Sequence, residues 1–375
     1  MLLFNTFKMK KVIYFLFVSA LFAACTKEPH YLITGKISGA DGVIFVLQKR
    51  VSGQTIILDS ARVVNGKFQI KGGAVDYPEI VTLLAKDKGT GFSFYLENTN
   101  ITITGNSDSL DNVKISGSKT QDELVAYTNS QKPLEEKYNK AYEEYLTVGQ
   151  SGDNQKTAEI EKQMANIENE MTIVDKDFVK NNPSSYVAPS ILNNLAYYLN
   201  AAEIEEIINA MDTLVAKSPV IQSLKSRVEI MKSVAIGKKA PEFTMNDVNG
   251  IPVTLSSKIG SKLLLVDFWA GWCGPCRQEN PNLVKVFNEF NKKGFNVLGV
   301  SLDRTKEEWL KAIADDKLAW THVSDLQYWN SPVAQLYGVN AIPSNFLLDE
   351  NGVIIGRNLR GEDLLNKVKE ILGTN

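Results

Sequence analysis

Three cysteines and two histidines in 375 residues leave this chain short of the usual metal ligands and crosslinks. A structural zinc site needs four ligands, and Cys25, His30 and His322 are remote in sequence from the one Cys-x-x-Cys pair, Cys273 and Cys276. No metal is expected. Haem attachment is excluded as well, because Arg277 stands where Cys-x-x-Cys-His needs its histidine. An excess of charge of one sign is also lacking, and a net charge of −2 gives no reason to propose a nucleic-acid partner. The apolar stretch from Val12 to Ala24 is shorter than the roughly 20 residues of a membrane-spanning helix.

What is present is concentrated between Leu263 and Arg277. The run Leu263 to Trp269 is apolar except at Asp267, too short for a comfortable helix, and bounded by Gly260 and Gly271, so it reads as a buried parallel strand. Cys-x-x-Cys follows directly. A strand that ends on such a pair and leads into a helix puts both sulfurs at the carboxyl edge of a sheet, where open α/β folds carry their sites. Cys273 then sits at a helix N-terminus, where unpaired N–H groups and the helix dipole favour a thiolate. Cys276, one turn on, can resolve a mixed disulfide by closing an intramolecular bond. That chemistry needs no cofactor.

Val266-Asp267-Phe268-Trp269-Ala270 through Trp272-Cys273-Gly274-Pro275-Cys276 resembles the active-site segment of thioredoxin. The extension Cys276 to Pro281 and the lead-in Gly237 to Thr244 are more similar to the TlpA/ResA group of membrane-tethered bacterial thioredoxins, related to the AhpC/TSA proteins. The resemblance covers residues 237–375 and implies an α/β thioredoxin fold there. It also implies that Cys273 attacks and a more buried Cys276 resolves. Trp272, Gly274, Pro275, Ile342 and Pro343 are implied to contact substrate.

A chain of this length is expected to form two or three domains. It opens on Lys8, Lys10 and Lys11 followed by the short apolar run, which is a secretory signal over residues 1–24, with Met9 a candidate initiator. Leu21-Phe22-Ala23-Ala24-Cys25 resembles a lipobox and implies lipidation of Cys25, with residues 25–30 as anchor and linker. The departure is Phe22, where such sequences usually carry an aliphatic residue.

Residues 31–118 carry short β-rich runs at Val43 to Lys49, Thr55 to Ser60, Lys67 to Ile70, Glu79 to Leu84, Gly91 to Leu96 and Asn100 to Thr104. Asn65-Gly66 is a hairpin signal. A small antiparallel sandwich or barrel is expected, with Phe68, Phe92, Phe94 and Tyr95 in its core. The segment resembles a domain of uncharacterised function that often precedes TlpA-like thioredoxins.

Residues 119–236 turn helical. Ile160, Met164, Ile167, Met171, Val174 and Phe178 recur at alternating spacings of four and three, and Leu134, Tyr138, Ala141, Tyr142 and Tyr145 offer a partner seam across a turn at Gly149 to Asp153. An antiparallel hairpin follows, then shorter helices at Ile191 to Leu199, Glu203 to Ala216 and Val220 to Val234. This region reads as a platform, and its seam is a candidate homodimer surface.

In the last domain, Phe295 to Ser301 is the next strand, Thr305 to Glu308 a capping box, and Ser331-Pro332 an N-cap followed by proline at the first helical position. Asn345 to Leu348 and Val353 to Ile355 are strands joined at Asn351-Gly352, and Glu362 to Leu372 is a closing helix. Ala341-Ile342-Pro343 corresponds to the family's cis-proline loop, where a bound peptide pairs with the Ile342 backbone. Asp267, a carboxyl in a buried strand, must be paired, hydrated or neutral. By resemblance it moves protons to and from Cys276. Glu279 fits the second acid of the TlpA/ResA pattern, or a solvated helix face. His322 reads as a surface or packing residue.

The expected function is a lipid-anchored envelope thiol-disulfide oxidoreductase, its thioredoxin domain in the periplasm. A Gly-Pro dipeptide between the cysteines resembles the reducing thioredoxins, near about −270 mV. Protein disulfides would be the substrates, with a membrane electron donor of the DsbD or CcdA kind. Two alternatives stand beside it. A peroxiredoxin would need Thr-x-x-Cys, and position 270 is Ala. A non-catalytic binding lipoprotein would have no use for an intact Trp-Cys-Gly-Pro-Cys.

Overall fold

Alternation of buried and exposed residues along the first strands builds the N-terminal unit in this computed structural model, which describes residues 30–51 and 53–373. The leader, Met9 and Cys25 lie outside the described residues. Eight strands form here: β1 (Tyr31–Ser38), β2 (Ile44–Val51), β3 (Gln54–Arg62), β4 (Lys67–Gly72), β5 (Glu79–Ala85), β6 (Thr90–Leu96), β7 (Asn100–Asn106) and β8 (Lys114–Ser116). They make two four-stranded sheets, β4-β1-β7-β8 and β3-β2-β5-β6. Ile33, Ile37, Phe68 and Ile70 of one sheet pack with Phe45, Leu47, Leu83 and Phe94 of the other in a single core, as a sandwich requires.

Two sequence expectations need correction here. The sheets are not all antiparallel: β1 pairs with β7 in parallel, Ile33 opposite Ile101. The two strands are joined by a long excursion through the other sheet, so no hairpin forces them antiparallel. Asn65 and Gly66, both at positive φ, do form the tight turn. It links strands of different sheets, with a single bridge between Val64 and Lys67.

The helical segment begins with α1 (Lys119–Ser151) and α2 (Asn154–Asn181). They run antiparallel: the Tyr127 ring packs at a tilt against Phe178 at one end, and Lys156 reaches Glu144 at 3.4 Å near the other. Ala141, Ile160 and Ile167 form the buried seam, flanked by Leu134, Tyr138, Met164 and Met171. Tyr142 does not join it and faces solvent, stacked on Tyr145. The shorter helices are α3 (Ala188–Leu195), α4 (Ala201–Ala210) and α5 (Pro219–Ser233). α4 stops well before Ala216 because Met211 turns extended and the Asp212 carboxylate accepts the Leu214 N–H.

The C-terminal domain starts with the hairpin β9 (Thr244–Asn246) and β10 (Pro252–Thr254). There follow β11 (Leu263–Trp269), α6 (Gly274–Phe290), β12 (Phe295–Ser301), α7 (Lys306–Asp315), β13 (Thr321–Ser324), α8 (Pro332–Leu336), β14 (Ser344–Asp349), β15 (Ile354–Arg357) and α9 (Gly361–Leu372). The sheet order is β13-β12-β11-β14-β15, with β11 central, parallel to β12 and antiparallel to β14. Every residue of β11 is buried, as a strand covered on both faces demands. Leu264, Val266 and Phe268 enter one core, Leu263 and Leu265 the other, beneath α6 and α9. The two-residue period puts Asp267 on this second face.

Thr305 Oγ1 caps α7 by accepting the Glu308 N–H, which is one half of the expected capping box. Ser331 stands at the N-cap of α8 but its hydroxyl donates to Asp325 at 2.7 Å instead of capping. His322 is buried, edge-on to Trp269 and stacked on Trp320, so of its two readings packing holds and surface does not. Burial pushes its pKa down to about 3, which keeps it neutral.

Candidate active site

Cys273 is the N-cap of α6 and Cys276 lies in its first turn, joined to it by a disulfide. Gly274 and Pro275 open the helix, a position where a proline's missing N–H costs nothing. The Cys276 N–H donates to Cys273 Sγ at 3.2 Å, the contact that favours charge on that sulfur once the disulfide is opened. Both sulfurs are shielded in this state, with Cys273 4% and Cys276 1% exposed. The sequence expectation of a more buried Cys276 therefore survives only as a small difference.

Ile342–Pro343 is a cis peptide, and the Ile342 carbonyl oxygen lies 3.7 Å from Cys273 Sγ. The proline loop thus faces the same sulfur that the helix terminus presents. Arg360 donates to the Pro343 carbonyl from the start of α9. Gly274 has open space on its outer side. Trp272 is 42% exposed, and its indole N–H donates to the Leu302 carbonyl at 3.2 Å.

Asp267 lies beneath the helix. With Cys276, Glu279, Asn280, Pro343 and Asn345 it lines a cavity of about 10 Å³, close to the space one water molecule needs. Burial pushes its pKa up to about 7, the Glu279 charge adds to that rise, and Arg360 opposes it. A carboxyl tuned to neutrality is matched to proton transfer at neutral pH. Glu279 is not on a merely solvated face: its carboxylate accepts the Gly361 N–H at 2.7 Å, at the start of α9.

Comparison with known proteins agrees with this geometry. Residues 236–357 match the model of the AhpC/TSA family, and residues 31–124 match a domain of unknown function, DUF4369. The thiol-disulfide oxidoreductase ResA of Geobacillus thermodenitrificans is 31% identical over 142 residues, 37% of this chain and 79% of that one. The thioredoxin-like protein YneN of Bacillus subtilis is 35% identical over 121 residues, 32% of this chain and 68% of that one. Residues 236–357 thus form an AhpC/TSA-family domain, and the chain is related to the ResA thiol-disulfide oxidoreductases. Among solved structures, the thioredoxin domain of a thiol-disulfide oxidoreductase from Bacteroides vulgatus aligns at 40% identity, covering 38% of this chain and 100% of that one with a TM-score of 0.36.

Several residues of this ResA-related site escaped the sequence reading. Asp303, fully buried, accepts the Gly271 N–H at 3.0 Å and the Ser301 hydroxyl at 2.7 Å, fixing the loop that enters the cysteines. Gly271 is required there, since a Cβ would come within 2.9 Å of the Ala312 Cβ and 3.1 Å of the Glu308 carbonyl. Arg277 anchors the far side, pairing with Asp316 and donating to the Gly271 carbonyl at 3.2 Å. Tyr328 and Trp329 pack on Trp272 with ring centres at 5.0 and 6.1 Å, and the Arg304 guanidinium covers Tyr328 at 4.0 Å. Asp303 and Arg304 come one residue after β12, at the carboxyl end of a parallel strand, and that position was a signal available in the sequence. Tyr328, Trp329 and Arg360 carried no such signal.

Proposed function

We propose that the chain is a lipid-anchored reductase of protein disulfides in the bacterial cell envelope, with its thioredoxin domain in the periplasm. The observation that carries this reading is the convergence on one cysteine pair of a helix N-terminus, a cis-proline carbonyl and a buried carboxyl poised near neutrality. In the reduced protein the Cys273 thiolate attacks a substrate disulfide. One substrate sulfur leaves and takes up a proton, and Cys273 is held in a mixed disulfide. Asp267 accepts the Cys276 proton, the Cys276 thiolate attacks Cys273 Sγ, and the second substrate sulfur departs. Two electrons have then passed from the dithiol to the substrate, and the enzyme ends in the disulfide state.

Trp272, Gly274, Pro275, Ile342 and Pro343 form the contact surface in this reading, the Ile342 backbone pairing with an extended substrate strand. The spent disulfide is returned to the dithiol by a membrane electron donor of the DsbD or CcdA kind. Lipidation at Cys25, supported by the lipobox-like Leu21 to Cys25, keeps the enzyme beside that donor.

The reading is tested with the dithiothreitol-reduced protein and insulin. Turnover of the insulin disulfides that disappears in Cys273→Ser supports it. Peroxide consumption without disulfide reduction would overturn it in favour of a peroxidase.

A further inference from the structure

The helical segment reaches the cis-proline loop. α5 packs its Ile230 side chain against Gly338, and its C-terminal Val234 enters the core of the thioredoxin-like domain. Between these helices and the loop runs a groove of about 730 Å³, lined at one end by Ala341 and Pro343 and at the other by the α3–α4 connection. Its walls carry Arg227, Arg357 and Arg360 and no aspartate, glutamate or lysine. Tyr197 and Tyr198 stand at its edge, 62% and 78% exposed, with Ile236 also exposed.

These features have structural causes that leave them free for a ligand. Arg227 is held in place by donating to the Ala196 carbonyl at 2.9 Å and by lying over Tyr197 at 4.8 Å. Arg357 lies over Phe346 at 4.9 Å, and its buried Nε has no hydrogen-bond partner among the described residues. Arg360 uses its guanidinium on the Pro343 carbonyl. Guanidinium groups held by rings and carbonyls, with no carboxylate among the groove residues, keep their charge available to an incoming anion.

We propose that this groove binds an acidic, extended segment of the substrate protein next to its disulfide, so that the helical segment selects substrates for the cysteine pair. The inference rests on the reductase reading above. Charge complementarity decides the occupant: three arginines favour aspartate and glutamate side chains, while the exposed tyrosines offer faces to apolar residues between them. The groove starts at Ala341 and Pro343, on either side of the Ile342 whose carbonyl faces Cys273, so a chain paired at that loop lies beside the groove.

The test uses the full-length reduced protein and three disulfide-linked peptides that differ only in their flanks, aspartate-rich, serine-rich or lysine-rich, with hydroxyethyl disulfide as an uncharged small control. The aspartate-rich peptide should show a kcat/KM about 10-fold above the lysine-rich one at low salt, the gap closing at high salt as the charges are screened. Arg227→Glu should bring that ratio close to unity. Because Arg227 also holds the Ala196 carbonyl, Tyr198→Glu, at an exposed edge position, is a second variant that should lower the same ratio. Reduction of hydroxyethyl disulfide and of all three peptides at equal rates would overturn the groove's role and leave the reductase reading standing. Reduction of none of the four would remove the reductase reading itself. A dimer of the wild-type protein that Tyr198→Glu dissociates would also overturn the inference, since a second copy would then be the occupant.

Discussion

Asp267 and Cys276 line the same small cavity, the carboxyl reaching it from the centre of β11 and the sulfur from the first turn of α6. The carboxyl is held near neutrality by burial, with Glu279 adding to the effect. Asp267→Asn should therefore slow the resolution step about 100-fold, at the low end of what a positioned base contributes. In wild type the rate should rise with pH through about 7 as the carboxylate forms, and the variant should lose that limb. Stopped-flow tryptophan fluorescence across a pH series measures both.

The same residue sets a stability cost with a definite sign. Its pKa in the folded disulfide form, about 7, lies above the ordinary carboxyl value of 3.8, so the unfolded chain gives up the proton first and stability falls as the pH rises through that window. Below about pH 4 both states are protonated and the cost vanishes; above pH 7 it is complete, on the order of 4 kcal/mol. Asp267→Asn should match wild type in acid and exceed it by about that amount at pH 8. Urea unfolding of the oxidised proteins at the two pH values decides the matter, and equal stability at pH 8 would refute the buried, neutral carboxyl.

Glu279 raises the Asp267 pKa through its charge while accepting the Gly361 N–H. Glu279→Gln removes the charge and keeps an oxygen for the bond. The midpoint of the pH limb should move to lower pH, with little change in the plateau rate. An unmoved midpoint would show that Glu279 serves the α9 terminus alone.

Gly271 lies against α7 and Asp303. Gly271→Ala should destabilise the protein by about 1–3 kcal/mol, the usual cost of overpacking a filled site. Thermal unfolding followed by circular dichroism checks it.

How much of this was legible in the sequence varied with the range of the interactions. β11 and α6 could be read because one apolar run with a single acid, followed by Cys-x-x-Cys, is a local pattern, and the alternation of core faces then fixes where Asp267 points. The α1–α2 hairpin was legible through its seam, apart from Tyr142, which was grouped with Ala141 and Tyr145 and which the packing leaves outside. The parallel pairing of β1 with β7 was not, because register between strands so far apart in sequence is set by packing and not by any turn. The supports of the site were hidden for the same reason. Asp303 reaches Gly271 across 32 residues and Arg277 reaches Asp316 across 39. The groove wall at Arg227 and Arg357 joins helix and sheet residues that no local pattern relates.

The central claim is the division of labour between the two cysteines, and trapping tests it most directly. Cys276→Ser, expressed in the native host, should accumulate covalent adducts that dissolve on adding reductant, because the thiol that would release them is gone. Cys273→Ser should accumulate none, since Cys273 is the sulfur that the Cys276 N–H at the start of α6 and the Ile342 loop address. Mass spectrometry of the adducts identifies the substrates. Equal trapping by the two variants, or trapping by Cys273→Ser alone, would contradict the account.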